Sequence, residues 1–305
     1  MFVEAASLKK PVGVEGYDPR KPDRPEIDLI ITLGGDGTIL HASSMFNTGP
    51  VPPVLSFSMG TLGFLLPFHM KFTYWGVGAD INSLPTALDD VFSGTATVLP
   101  RMRLACTFHD ERGKVIHDED GGAPLQAMNE ITLHRGRSPH LTIINAFVDD
   151  AHLTEAVSDG LIVSTPTGST AYSLSCGGPI VHPSVRALVM TPVCPRSLSF
   201  RSLVLPSSSG IRLTISSKSR APAEISMDGQ TIQNLYAGQS VKIGASAYPM
   251  PCINRSSPAC APDSDEDDGF RSGASQDNWV RDINNLLQFN ASFRSSAIVF
   301  GKEVR

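Results

Sequence analysis

Leu29-Ile30-Ile31-Thr32-Leu33-Gly34-Gly35-Asp36-Gly37-Thr38-Ile39-Leu40 is the stretch on which the fold turns. Its first five residues are apolar or β-branched without alternation, the pattern of a strand buried on both faces of a parallel sheet. The glycine run stops that strand. Apolar residues then recur at Ile39, Leu40, Ala42, Met45 and Phe46, a spacing that predicts a helix. A helix start offers free N–H groups to an anion, and glycines let a phosphate approach the backbone. In open α/β sheets, ligands bind outside the carboxyl ends of strands. Asp36 is odd in a turn built only for anions, because its carboxylate repels phosphate unless it holds Mg2+ or takes a proton. A plainer alternative is a tight strand–helix turn with Asp36 as N-cap. The pattern alone leaves both open.

Outward from this stretch, the first third reads as α/β. A second buried strand is predicted at Val54 to Ser58, then a glycine-punctuated stretch from Met59 to Phe68 and a helix from Thr86 to Phe92. Residues 9–27, rich in Pro and charge, read as an exposed loop. The middle changes character. Val98 to Phe108, Val115-Ile116, Gln126 to His134, Leu141 to Val148, Leu153 to Val157, Leu161 to Ser164, Ile211 to Ser216, Ala223 to Met227 and Ser240 to Ile243 read as strands. Turn signals at Asp110 to Gly113, Asp149-Asp150 and Asp228-Gly229 separate many of them. A short helix is predicted at Ser169 to Ser175. The expected organisation is an α/β domain over 1–97, a β-rich domain over 98–250, an acidic disordered loop over 251–277, and a helix and tail over 278–305. Trp279, Val280, Ile283, Leu286, Leu287 and Phe289 give the last helix its apolar stripe, expected to dock on the first domain.

Bulk properties bound the function. The chain has 305 residues, 41% hydrophobic and 18% charged, enough for two domains with real cores. A net charge of −5 argues against a general nucleic-acid binder, which would show a basic face. No apolar run approaches the roughly 20 residues that cross a bilayer. The five cysteines are an odd count without a CxxC pair, which suits free thiols in a reducing compartment. Met1 to Leu8 is short and carries Glu4, so neither a secretory signal nor a transit peptide is expected.

Two further runs carry chemistry. Asn129-Glu130 lies inside an otherwise apolar strand, where a buried carboxylate is costly unless paired. A ribose diol is a natural partner for it; the alternative is that Glu130 faces solvent. Asp159-Gly160 leads into Ser164-Thr165-Pro166-Thr167-Gly168-Ser169-Thr170-Ala171-Tyr172. Six Ser, Thr and Gly residues between a strand and a helix start suit a phosphate or ribose, with an N-cap cluster as the alternative. A Walker A loop, a DFG triplet and a GxSxG elbow are absent.

Taken in order, these runs resemble the NAD kinase family. Gly34 to Thr38 is similar to its GGDGT motif, Asn129-Glu130 to its Asn-Glu motif, and Asp159 to Tyr172 to its longest signature. Thr191-Pro192-Val193-Cys194-Pro195 with Ser197 to Arg201 resembles a eukaryotic-type stretch, and Leu133 to Thr142 resembles the fungal mitochondrial NADH kinase branch. The resemblance implies a Rossmann-like α/β domain, a mostly-β sandwich domain and a C-terminal helix that returns to the first domain. It implies an ATP-dependent kinase acting on the 2′-hydroxyl of the adenosine ribose of NAD(H), with Mg2+ carried by ATP, a homodimer or homotetramer, and no nucleic-acid or membrane partner. Asp36 would act at that hydroxyl, as general base or through Mg2+. Gly34, Gly35 and Thr38 would take the ATP phosphates. Gly37, Leu40, Phe64, Asn129, Glu130, Asp159, Thr170, Ala171, Tyr172, Ser175 and Asp228 would form the NAD site, with Phe64 beside the adenine and Asp159 near the nicotinamide end. A mitochondrial matrix location follows from the branch, with the cytoplasm as its rival.

Two departures from the family pattern set further expectations. Only 33 residues precede Gly34, so the first strand–helix unit is expected to be missing and a sheet edge exposed. His69 to Pro85 reads as an insertion. They motivate an alternative, a truncated NAD-binding protein with little or no activity. A GGDGT-type lipid kinase is the alternative within enzymes.

Overall fold

The computed structural model describes residues 2–4, 15–18, 25–59, 65, 66, 68, 69, 83–116, 123–254 and 279–287. Phe64, most of the segment from His69 to Pro85, and the acidic stretch after Asn254 lie outside them. The chain divides into two compact units. The larger comprises residues 1–32, 37–56 and 98–253, and the smaller 33–36, 57–97 and 254–305.

The larger unit is dominated by two six-stranded antiparallel sheets. One runs in the order Ala151–Ser158, Thr142–Val148, Ile211–Ile215, Ser240–Ala245, Leu104–His109, Leu125–Ala127. The other runs Leu203–Pro206, Ala187–Val193, Gly160–Ser164, Glu130–His134, Ala223–Met227, Gln230–Leu235. Strands of the first sheet alternate buried and less buried residues, as in Ile211–Ile215, because only one face meets the core. Central strands of the second are buried at almost every position. Ile131, Leu133, Leu161, Val163, Leu188 and Met190 point into the shared hydrophobic core with Leu104, Ile144, Leu213 and Val241. By the period of two, Glu130, Thr132, Ile162, Ser164 and Thr191 lie on the opposite face, and they too are buried.

The pattern from Gln126 to His134 predicts one strand. The structure breaks it at Met128-Asn129, so that Leu125–Ala127 belongs to one sheet and Glu130–His134 to the other. Other strands escaped the pattern. Ala187–Val193 contains Pro192, which normally excludes a central strand. It is tolerated because the outer neighbour, Leu203–Pro206, pairs only with Ala187 to Met190 and leaves Pro192 past its end. Gln230–Leu235 is polar along most of its length, since it is an edge strand. Glu15–Tyr17, inside the segment read as loop, pairs in parallel with Phe2–Glu4.

A further sheet orders Ile30–Gly34, Val54–Ser58, Met250–Asn254 and Thr97–Arg101. Met250–Asn254 lies where the composition turns polar and was not predicted as a strand; it pairs in parallel with Val54–Ser58, Cys252 opposite Val54. Val54–Ser58 is wholly buried, as its apolar run predicts. Ile30–Gly34 is not: Ile31 and Leu33 are 46% and 51% exposed, because this strand ends the sheet among the described residues. Its glycine turn opens the helix Asp36–Ser44. In the smaller unit, Phe57 pairs with Phe68 in parallel, their rings 5.3 Å apart. The helix Ser83–Phe92 starts one turn earlier than predicted, with Pro85 accommodated in its first turn, where an N–H has no intrahelical partner. Trp279–Leu287 is the last described helix.

Arg103 ties the larger unit together. Its side chain is fully buried, and its guanidinium donates to the carbonyls of Tyr248 (2.7 Å), Phe46 (3.0 Å) and Gly49 (2.6 Å). Phe46 and Gly49 follow the helix Asp36–Ser44, so the guanidinium fixes the turn that ends it. Burial lowers the Arg103 pKa to about 10, against the opposing charge of Asp228. Arg103→Met removes three charge-assisted bonds and orphans three carbonyls. It is expected to cost about 3 kcal/mol or more, lowering Tm by about 6 °C or more. Thermal denaturation measures it; an unchanged Tm would show that the carbonyls find other donors.

Candidate functional site

The break at Met128-Asn129 is where the site forms. A chain that leaves one sheet for another presents backbone groups that neither ladder can satisfy. Here the N–H groups are taken by one carboxylate. Asp228 Oδ2 accepts from Met128 N at 2.8 Å, and Oδ1 accepts from Asn129 N at 2.7 Å and Glu130 N at 3.1 Å. The carbonyls are taken from the other side. Thr165 Oγ1 donates to Met128 O at 2.7 Å, and Thr165 N donates to Asn129 O at 2.9 Å. Gly168 closes over the same carbonyl; a Cβ there would stand 2.1 Å from Asn129 O. Asp228 occupies the first place of the Asp228-Gly229 turn, with φ 48° and 79°, the left-handed pair that a two-residue hairpin requires. Asp228, expected in the NAD site, thus spends three acceptor positions of its carboxylate on backbone donors.

With the backbone held, the side chains are left over. Asn129 Oδ1, Glu130 Oε2 and Ser164 Oγ are buried and make no hydrogen bond within the chain. Ser164 stands opposite Glu130 in the strand register, so both project from the same face of the sheet. Glu130 does not face solvent, being 7% exposed. Burial first, and then the charge of Asp228, push its carboxyl up to about 8, against the Tyr172 N–H, which lowers it. Unpartnered polar atoms at this depth are costly unless a ligand supplies their partners.

Several hydroxyls of the run bond within the chain. Thr165 is spent on Met128, Ser169 Oγ donates to Pro166 O at 2.6 Å, and Thr170 Oγ1 donates to Thr167 O at 3.1 Å. Ser173 Oγ and Thr191 Oγ1 are hydrogen-bonded to each other at 2.9 Å. Neither the 3-10 turn Thr167–Thr170 nor the short helix Tyr172–Ser175 has a side-chain cap. The hydroxyls therefore build the loop, and Thr165 Oγ1 also accepts from Gly168 N of the 3-10 turn at 3.0 Å. Thr170 and Ala171 are half-buried, while Tyr172 and Ser175 are exposed beside Glu130's strand. Arg101, not singled out from sequence, donates from Nη1 to Thr167 Oγ1 at 3.3 Å.

Asp159 is ion-paired. Arg135 Nε meets its Oδ1 at 2.6 Å, and Arg135 N donates to its carbonyl at 2.9 Å. The Arg135 partner was not predicted, because nothing in a sequence marks a bond across two strand ends.

In the smaller unit, Gly34, Gly35 and Asp36 form the turn. Gly34 O accepts from Met59 N at 3.1 Å, and Asp36 Oδ1 accepts from Leu65 N at 3.3 Å. Among the described residues, a Cβ at Gly35 or Gly37 would meet no atom within 4 Å, and neither glycine has a positive φ. Among the described residues, neither packing nor backbone strain calls for glycine at these two positions. In the larger unit, Gly37 is exposed, and Thr38 and Leu40 are half-buried on the helix that follows.

The profile of the ATP-NAD kinase C-terminal domain matches residues 128–255, and that of the N-terminal domain matches residues 11–74. The chain is 45% identical, over 88% of its length, to the mitochondrial NADH kinase of Schizosaccharomyces pombe, and 42% identical over 88% to that of Saccharomyces cerevisiae. It spans 60% and 64% of the length of these two relatives. The crystal structure of yeast NADH kinase complexed with NADH superposes with a TM-score of 0.71 at 40% identity, over 88% of this chain and 68% of that one. An Archaeoglobus fulgidus NAD kinase solved with ATP shares the fold, with a TM-score of 0.58 at 23% identity, over 74% of this chain and 78% of that one.

The raised Glu130 pKa makes a pH prediction. The folded chain keeps a proton that the unfolded chain, with its carboxyl at 4.5, has released, so this group's contribution to stability falls as pH rises from 4.5 to about 8. Glu130→Gln does not titrate. Its denaturation midpoint relative to wild type is expected to climb between the acid and alkaline ends of that window. A difference that stays flat with pH would mean that Glu130 ionises normally.

Proposed function

The chain belongs to the ATP-NAD kinase family, and we propose that it transfers the γ-phosphoryl group of ATP to the 2′-hydroxyl of the adenosine ribose of NAD(H), giving NADP(H). The observation that carries this reading is the set of buried, unpartnered oxygens of Asn129, Glu130 and Ser164 on one rigid corner. Adjacent hydroxyls of a ribose supply the partners that these atoms lack. Asn129 and Glu130 hold the ribose. Thr170, Ala171, Tyr172 and Ser175 line the dinucleotide, and Gly37, Leu40 and Phe64 join it, Phe64 beside the adenine. Asp159, its charge balanced by Arg135, serves the nicotinamide end. Gly34, Gly35 and Thr38 receive the ATP phosphates.

In this reading the 2′-oxygen loses its proton to Asp36 and attacks the γ-phosphorus in line. The bond from that phosphorus to the β,γ-bridging oxygen breaks, and ADP leaves. The transition state is loose, so holding the two substrates in line matters more than base strength. Among the described residues no cluster of three or more His, Cys, Asp or Glu could cage a metal. A lone carboxylate such as Asp36 would suit Mg2+, which takes one or two carboxylates together with substrate phosphates. Bound there, Mg2+ would neutralise phosphate charge.

The lipid-kinase alternative is not favoured, because the ATP-NAD kinase profiles match both the GGDGT region and the β-rich region. We also infer a homodimer or homotetramer from the family resemblance, and a mitochondrial matrix location from the names of the two fungal relatives.

Purified chain with Mg-ATP and either NAD or NADH is expected to form NADP(H). Binding without product would favour the alternative of an NAD-binding protein with little or no activity. Asp36→Asn is expected to lower kcat by about 10^2- to 10^4-fold while NAD still binds. Near-normal turnover in that variant would remove Asp36 from the chemistry.

A further inference from the structure

We propose that Asp228 is a positioning residue: its carboxylate fixes the Met128–Glu130 backbone so that Asn129 and Glu130 meet the dinucleotide ribose, and it touches no ligand itself. The inference rests on the ribose reading of Asn129 and Glu130 given above. A carboxylate offers about four acceptor sites, and three are taken by consecutive N–H groups at 2.7 to 3.1 Å. Asp228 N returns a bond to Glu130 O at 3.0 Å, so the two segments grip each other in both directions. The hairpin turn accounts for the residue type only in part. At φ 48° Asp, Asn and Gly are all tolerated, but only Asp offers acceptors on both oxygens. An asparagine would keep the turn and turn an NH2 donor against one of the three N–H groups. Two adjacent side chains with unpartnered oxygens begin at the very residues that Asp228 holds. A carboxylate placed 98 to 100 residues away in sequence thus sets the direction of the groups that read the substrate.

Asp228→Asn in the full chain tests this. The expected result is a dinucleotide Kd raised about tenfold or more, from loss of a charge-assisted bond, with the KM for ATP unchanged. A role in folding alone would lower Tm without splitting the two substrates. A second readout is the pH dependence of dinucleotide binding. The Asp228 charge opposes ionisation of Glu130, so its removal is expected to move that titration to lower pH, with Tyr172 and Cys176 beside Glu130 and Arg103 beside Asp228 left in place. Wild-type affinity and titration in Asp228→Asn, alongside lost binding in Glu130→Gln, would overturn the proposal and leave the ribose reading standing. Unaltered binding in Glu130→Gln would instead overturn the ribose reading, and this inference with it. If Asp228→Asn does not fold, hydrogen exchange on the native chain decides: the Asn129 and Glu130 amides must be protected before dinucleotide is added and no slower after it. Exchange at unprotected rates in the free chain would overturn the clamp.

Discussion

Everything about this site depends on how the chain turns the corner at Met128-Asn129. A strand that crosses between two sheets cannot keep its ladder, and a buried corner cannot leave its amides bare. Asp228 and Thr165 answer that requirement from opposite sides, one taking N–H groups and the other carbonyls. With the backbone satisfied in this way, Asn129 Oδ1 and Glu130 Oε2 are left without a partner in the chain. The same bonds that complete the sandwich therefore aim its polar groups. Gly168 shows how little slack remains, since the loop lies against Asn129 O with no room for a methyl group.

The sheet that carries the corner faces two demands. Its inner face supplies the hydrophobic core, with Ile131, Leu133, Leu161 and Val163 packed among the strands of the opposite sheet. Its outer face is buried as well, yet it bears Glu130, Thr132, Ser164 and Thr191. Thr191 meets Ser173, but Glu130 Oε2 and Ser164 Oγ find no partner in the chain. Such oxygens lower stability, and natural folds retain them where a ligand repays the cost.

Much of this was legible in the sequence, for identifiable reasons. The strand, glycine turn and helix around Asp36 announce themselves because three periodicities meet in a dozen residues. The β-rich region shows through its turns, among them Asp149-Asp150 and Asp228-Gly229, where positive φ selects residue type. The corner was invisible, because the apolar pattern runs through Met128 unbroken and the bend has no composition of its own. The partners of Asp228 are backbone atoms about a hundred residues away, which no local pattern encodes. The hydroxyl run was recognised as significant, but whether a hydroxyl turns inward or outward is decided by neighbours such as Met128 and Val181. Arg103 escaped notice for the same reason, its three carbonyl partners being scattered over the chain.

The strand order of the smaller sheet bears on how the protein is made. Met250–Asn254 sits between Val54–Ser58 and Thr97–Arg101, so an early part of the chain waits for a strand synthesised about two hundred residues later. Closing so long a loop is entropically slow, and parallel pairing offers no local hairpin to start it. During translation the Val54–Ser58 edge stays open while the β-sandwich assembles behind it, the stage at which nascent chains are most prone to aggregate. The late strand thus acts as a latch: a ribosome that stalls before Met250 leaves a chain with its β-sandwich strands made and its smaller sheet unsealed, a natural client for chaperones.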